Sequence, residues 1–253
     1  MAAPDTLLVQ LYGRTIATIT CLGSERSLFA FNEHYINDLN RPTLSLSFKD
    51  HFGQLITDTR PYRNQLMPFF SNLLPEGPLR HYLAQLAGVK PNREFYLLWA
   101  LGHDLPGALT VVADARHAVS EPLPSDYSTN KTLANSAAFL RFSLAGVQLK
   151  FSAVRDAHGG LTIPAHGTGG HVIVKLPSAH FNQLPENEYS MMTLAKKVGI
   201  NVPPFELIST AAISNLPAEF NFSSKKAFAI KRFDRSDDGK RIHMEDFAQV
   251  FGV

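Results

Sequence analysis

Apolar and polar positions alternate from Leu7 to Thr20 around Tyr12-Gly13-Arg14, which predicts a β-hairpin turning at the glycine. Ser27 to Tyr35 and Leu44 to Phe48, the latter alternating as Leu-Ser-Leu-Ser-Phe, predict further strands of one small antiparallel sheet. At Pro68 the period changes. Phe69, Phe70, Leu73 and Leu74 fall at helical spacing, Pro75-Glu76-Gly77-Pro78 breaks the run, and Leu79, Leu83 and Leu86 resume it as far as Gly88, which suits a helix C-cap. Phe95 to Leu101 predicts a third helix, carrying the only tryptophan, Trp99, in an apolar stripe of core type. Gly107 to Ala113 returns to a strand.

A proline-rich polar stretch, Glu121 to Asn130, then separates two regions of structured pattern. The division it suggests is an N-terminal unit over 1–113, a connector over 114–132 and a second unit over 133–253. In the second unit Phe151 to Arg155 and Leu161 to Ile163 read as a hairpin joined by Asp156-Ala-His-Gly-Gly. His171 to Pro177 holds a β-branched run, Glu186 to Val198 is a helix capped at Gly199, and Val202-Pro-Pro opens another strand region. Ala227 to Ile230 is a short strand of buried type, Ser236 to Lys240 turns the chain, and Glu245 begins a last amphipathic segment. The fold class is α+β: a small N-terminal antiparallel sheet with helices, then a second sheet-containing unit.

Composition narrows the options. With 253 residues the chain can bury a substantial core, and a formal charge of +2 without any Lys/Arg run longer than two gives no case for a nonspecific nucleic-acid grip. The single cysteine, Cys21, cannot form an internal disulfide and reads as a small apolar group. The first residues lack a signal-peptide pattern and no run is long and apolar enough to span a bilayer, so a cytoplasmic protein without membrane contact is expected.

The stretch from Phe142 to Pro177 holds the most suggestive chemistry. Phe-Ser-Leu-Ala-Gly-Val-Gln-Leu-Lys (142–150) places Ala145 and Gly146 at a turn between strand-like runs, where little side chain keeps main-chain N–H groups from an anion. Lys175 ends the β-branched run, and Glu188 lies thirteen positions further on at the start of a helical pattern. A glycine turn, a strand lysine and a helix glutamate are the elements with which protein kinases fix ATP phosphates. The same residues also fit a plain tight turn and a lysine pointing into water, and no Gly-x-Gly-x-x-Gly loop is present. His103-Asp104 reads as a loop contact, and Arg155-Asp156 as part of a turn. His158, His166 and His171 lack the spacing of a zinc site, so no metal ligands are assigned. Lys231-Arg232-Phe233-Asp234-Arg235 leaves a strand, and an Arg-Asp-Arg salt-bridge cluster holding the strand end is one reading of it.

Several motifs together resemble the HipA family of bacterial toxin kinases. They are 142–150, His-Val-Ile-Val-Lys-Leu-Pro (171–177), Asn-Glu-Tyr (187–189), Leu-Ala-Lys-Lys-Val-Gly-Ile-Asn-Val-Pro (194–203), Ile-Lys-Arg-Phe-Asp-Arg (230–235) and Glu-Asp-Phe-Ala-Gln-Val-Phe-Gly (245–252). Upstream, Phe-Phe-Ser-Asn-Leu-Leu-Pro-Glu-Gly (69–77) and Gly-Ala-Leu-Thr-Val (107–111) resemble that family's N-terminal domain. The resemblance implies that the second unit is the N-lobe portion of a protein-kinase-like fold. The activity it implies is a serine/threonine protein kinase using ATP and Mg2+ to phosphorylate an aminoacyl-tRNA synthetase. A small helix-turn-helix, HipB-like antitoxin would restrain it and dock it on operator DNA, so that DNA is met only indirectly; a homodimer is also within the family's pattern. By the same resemblance Ala145, Gly146, Val147, Gln148, Leu149 and Lys150 would contact phosphates, Lys175 would bridge them with Glu188 as its partner, Lys231, Arg232 and Phe233 would hold adenine, and Ser143 would be autophosphorylated.

The family's catalytic and magnesium-binding carboxylates belong downstream of 245–252, and Val253 is the last residue. A polypeptide of this length is therefore expected not to transfer phosphate alone, as a truncated gene product, an expression fragment or half of a split protein. An exposed face where a helical lobe would pack is expected to favour association. The alternative is a noncatalytic module that binds nucleotide or antitoxin.

Overall fold

The computed structural model describes residues 4–23, 26–117, 148–156, 159–164, 170–178, 181–216 and 225–253. Strands β1 (Thr6–Leu11) and β2 (Arg14–Cys21) form the expected hairpin, with Leu11 paired to Arg14 across Tyr12 and Gly13. Both turn residues have positive φ, 52° and 77°, the geometry whose twist matches that of the flanking strands. With β3 (Arg26–Phe31), β4 (Tyr62–Arg63) and β5 (Leu109–Ala113) they build a five-stranded antiparallel sheet in the order β4-β3-β2-β1-β5.

Two sequence expectations change here. The strand expected over Ser27 to Tyr35 stops at Phe31, because the Asn32 side chain accepts the Tyr35 N–H and caps helix α1 (Glu33–Asn37). Leu44 to Phe48 is not a strand. The Ser45 hydroxyl accepts the Ser47 N–H and starts a 3₁₀ turn, Leu46–Phe48, so local side-chain capping overrides the alternating pattern. The turn brings Phe48 onto Phe29, Phe31 and Phe69, where the aromatic rings fill the space beneath the sheet.

Helices α2 (Pro68–Ser71), α3 (Gly77–Ala87) and α4 (Glu94–Leu101) follow the helical period, and α3 ends at Gly88 in the left-handed conformation. Glu94 is buried yet satisfied: it accepts from the Leu66 N–H and the Ser71 hydroxyl and pairs with Arg80 at 3.1 Å. Cys21 is half-buried against the core.

The second sheet has the order β10-β7-β6-β8-β11-β9, built from β6 (Lys150–Arg155), β7 (Leu161–Thr162), β8 (Val172–Lys175), β9 (Phe205–Ser209), β10 (Ile213–Ser214) and β11 (Lys226–Lys231). It is antiparallel except where β10 joins β7. Helix α5 (Leu184–Lys197) lies against β9 and β11, and α6 (Phe247–Phe251) lies against α2 and the 3₁₀ turn of the first sheet's unit. The architecture is thus α+β with an antiparallel sheet in each half, and its buried side chains form one contiguous core. Among the described residues no helix is long and apolar enough to cross a membrane. Most of the connector expected over 114–132 lies outside the described residues.

Candidate functional site

Strand β8 alternates as its sequence requires: Val172 and Val174 are buried, while Ile173 and Lys175 face the other side. Lys175 stands opposite Lys150, the first residue of β6, and opposite Phe228 of β11. Its Nζ lies 5.8 Å from the centre of the Phe228 ring and donates to Glu188 Oε1, which α5 brings across from the helix. Both side chains of this ion pair are 26% exposed, so one cation and one anion meet at the mouth of the sheet rather than in bulk water.

Lys150 completes the arrangement. Burial, and next the positive charge of Lys175, push its pKa down to about 8, while Glu76 and Glu188 pull in the opposite sense. Glu76 precedes α3, so the N-terminal unit contributes charge to this corner. Two lysines in register, with Glu188 and Glu76 near them, put cationic groups in a partly buried place that an anion such as a phosphate chain can approach. Just before Lys150, the Gln148 amide donates to Leu176 O at 3.3 Å and Leu149 O accepts from Leu176 N–H at 2.9 Å. The structure therefore brings Gln148, Leu149, Lys150, Lys175 and Glu188 together. Ser143, Ala145, Gly146 and Val147 lie outside the described residues.

The chain leaving β11 behaves differently. Lys231 N–H donates to Pro204 O at 2.9 Å and Arg232 N–H to His171 O at 2.8 Å, whereas the Phe233 N–H has no acceptor among the described residues. Lys231 Nζ pairs with Asp237, and the Phe233 ring is 64% exposed. Lys231 and Phe233 line a cavity of about 660 Å³ with Asn201, Pro203 and Pro204.

The Arg232 guanidinium is 1% exposed and turned away into an ionic cluster that sequence reasoning took only as local salt bridges. Asp234 accepts from Arg232 Nη2 and from Arg235 Nη1, each at 2.7 Å. Asp104, which follows α4, accepts from Arg235 Nη2 at 2.7 Å and from Arg232 Nη1 at 3.3 Å, with Arg241 at 3.6 Å. Burial pushes the Asp234 carboxyl up, but the Arg232 hydrogen bonds and the charges of Arg232 and Arg235 outweigh it and hold the pKa below the ordinary value. His103-Asp104, read from sequence as a loop contact, is thus half of the junction between the two units, and Arg241 also donates to His103 O at 2.8 Å.

The junction continues along the last stretch of the chain. His243 Nε2 lies 2.7 Å from Leu44 O, Leu46 N–H donates to Glu245 Oε1 at 3.0 Å, and the Gln249 amide donates to Phe69 O at 3.1 Å. Phe247 and Phe251 stack 5.9 Å apart on the outer side of α6 and are exposed. Among the described residues no three His, Cys, Asp or Glu side chains converge as a metal site would.

Comparison with known families decides what this arrangement belongs to. A family model described as the HipA N-terminal domain matches residues 7–112, and one described as the HipA-like C-terminal domain matches residues 142–253. The chain belongs to the HipA family. Y4dM of Sinorhizobium fredii, named as a candidate kinase, is 56% identical over 255 residues, covering all of this chain and 61% of the relative. The serine/threonine-protein kinase toxin HipA of Shewanella oneidensis is 28% identical over 246 residues, covering 88% of this chain and 50% of that protein. The solved complex of Shewanella oneidensis MR-1 HipA with HipB and operator DNA shares the fold. Its HipA superposes with a TM-score of 0.61 at 22% identity, over 97% of this chain and 56% of the solved one. The chain thus spans between half and about three-fifths of the length of these HipA relatives.

Proposed function

We propose that this chain is the nucleotide-gripping part of a HipA-type serine/threonine protein kinase toxin. The observation that carries the proposal is the ion pair between Lys175 and Glu188 beside the partly buried Lys150. Lys150 and Lys175, with the main-chain amides of residues 145–150, hold the phosphates of ATP. The free Phe233 N–H offers a donor to the base, and the Phe233 ring provides a surface to stack on. The Arg232 carbonyl is what that residue has left to offer, because its amide and guanidinium are committed within the protein. Mg2+ accompanies ATP in this reading and would shield phosphate charge.

The wider reading is a toxin that acts in the cytoplasm on a protein hydroxyl, with an aminoacyl-tRNA synthetase as acceptor. A helix-turn-helix antitoxin restrains it, touches operator DNA on its behalf and permits a dimer, and Ser143 is the autophosphorylation site. A polypeptide of these 253 residues alone binds nucleotide without transferring phosphate in this reading, since among the described residues the carboxylates near the proposed site, Glu188, Asp234 and Asp237, are each paired with a cation. Equilibrium binding of ATP to the full chain, compared with Lys175→Met, tests the grip: wild type binds and the variant is weakened by about tenfold or more. Absence of binding by wild type would overturn the proposal. Label passed from ATP to any protein by the chain alone would overturn the statement about transfer.

A further inference from the structure

We infer that Asp104, in the N-terminal unit, is a positioning residue for base recognition: it fixes the strand-end segment 231–235 through Arg232 and Arg235 and so sets the place of the Phe233 N–H. The inference rests on the nucleotide reading above and adds to it where discrimination between bases is controlled.

The geometry supporting it is an alternation. Arg232 and Asp234 bury their side chains, whereas the Phe233 ring between them is exposed; Lys231, Arg232, Phe233 and Arg235 all border the cavity. What holds the buried residues comes chiefly from the other unit. Asp104 is fully buried and takes hydrogen bonds from Arg235 at 2.7 Å and Arg232 at 3.3 Å, and Asp234 accepts the Gly107 N–H at 2.8 Å. Arg235 also donates to Leu105 O at 3.1 Å and Gly107 O at 3.0 Å. The segment that meets the base is therefore tied chiefly to residues 104–107, while its own sheet adds the Ser152 hydroxyl, which accepts from Arg232 Nη1 at 3.3 Å, and the main-chain bonds of Lys231 and Arg232.

A main-chain N–H suits the unprotonated ring nitrogen at the adenine edge. At the corresponding position guanine carries a proton of its own, so two donors face each other and one is left unpaired. That discrimination depends on the amide being held still. Lys150 and Lys175 recognise charge at the opposite end of the sheet and do not depend on it.

The test uses the full chain and three probes: ATP, GTP and inorganic triphosphate. Wild type is expected to prefer ATP to GTP. Asp104→Asn should reduce that preference by about tenfold while leaving triphosphate affinity within about twofold, and Asp104→Glu should restore part of it. If Asp104→Asn does not fold, Asp104→Asn combined with Arg241→Gln, which keeps the charge balance of the cluster, must show the same loss. Val9→Ala, a core truncation in the first sheet, controls for general loss of stability and should keep the ATP preference. A folded Asp104 variant with the wild-type ratio of ATP to GTP affinity overturns the inference, as does a wild type with no base preference that still binds triphosphate. Wild type binding neither ATP nor triphosphate would remove the nucleotide reading itself.

Discussion

Replacing Lys150 by methionine should make the protein more stable and less able to hold a phosphate chain. The Lys150 amine is lowered from 10.5 to about 8 in the folded state, chiefly by burial and then by Lys175. A difference of that size corresponds to about 3 kcal/mol of cost to keeping the charge in the folded protein at neutral pH. Methionine fills similar space without a charge, so a gain of about 1–3 kcal/mol is expected at pH 7, the lower end allowing for lost contacts with Glu76 and Glu188. The pH dependence follows from the sign. Below pH 8 both folded and unfolded chains carry the proton and the full cost applies. Between about 8 and 10.5 the unfolded chain binds more protons than the folded one, so wild-type stability rises with pH relative to the variant, and above 10.5 the cost has gone. Urea unfolding of both proteins at pH 7, 9 and 10.5 reads this directly as a gap that closes. A gap that is constant with pH, or a variant less stable than wild type at pH 7, would refute the reasoning. Triphosphate binding should meanwhile fall in the variant, the usual conflict between a stable site and a working one.

Three further outcomes follow from the same geometry. A double-mutant cycle on Lys175→Ala and Glu188→Gln should give a coupling of about 1 kcal/mol in urea unfolding, since the pair is partly exposed. Asp234→Asn should cost about 3–5 kcal/mol by leaving Arg232 and Arg235 under-paired. Because the Asp234 pKa is lowered, its contribution is present above the ordinary carboxylate range and is lost as pH falls through the folded value, so acid unfolding curves of wild type and variant should converge. Gly107→Ala should destabilise by about 2–3 kcal/mol in thermal or urea melts, because φ is +71° there and an added Cβ would stand 2.8 Å from Met244 N.

Much of the fold was legible because it is written in local periods. The hairpin at Tyr12-Gly13, the helices around Leu79 and Trp99 and the strand ending at Lys175 each follow from neighbours in sequence. Leu44 to Phe48 misled for the same reason: its alternation is that of a strand, and only the Ser45 hydroxyl, competing for the Ser47 N–H, makes it a turn. At the site, the meeting of Lys175 with Glu188 was foreseen from a resemblance to kinases rather than from spacing. The salt bridges among Arg232, Asp234 and Arg235 were one reading of the sequence and are present, but the part of Asp104 in that cluster was not foreseen. Its arginine partners are 128 and 131 residues away, and at such separations a charged residue in sequence looks like any solvated loop position. Burial of Arg232 is equally invisible, since arginine is seldom found fully inside.

The final twenty or so residues belong spatially to the opening hundred. Arg235, Arg241, His243, Glu245 and Gln249 are seated on Leu44, Leu46, Phe69 and the stretch 103–109, so the covalent order of the polypeptide and its mechanical order differ. Severing the backbone between the sheets would not part them. Two separately expressed pieces, divided between 118 and 147, should find each other again, whereas the front piece on its own would carry a buried aspartate stripped of every guanidinium that neutralises it.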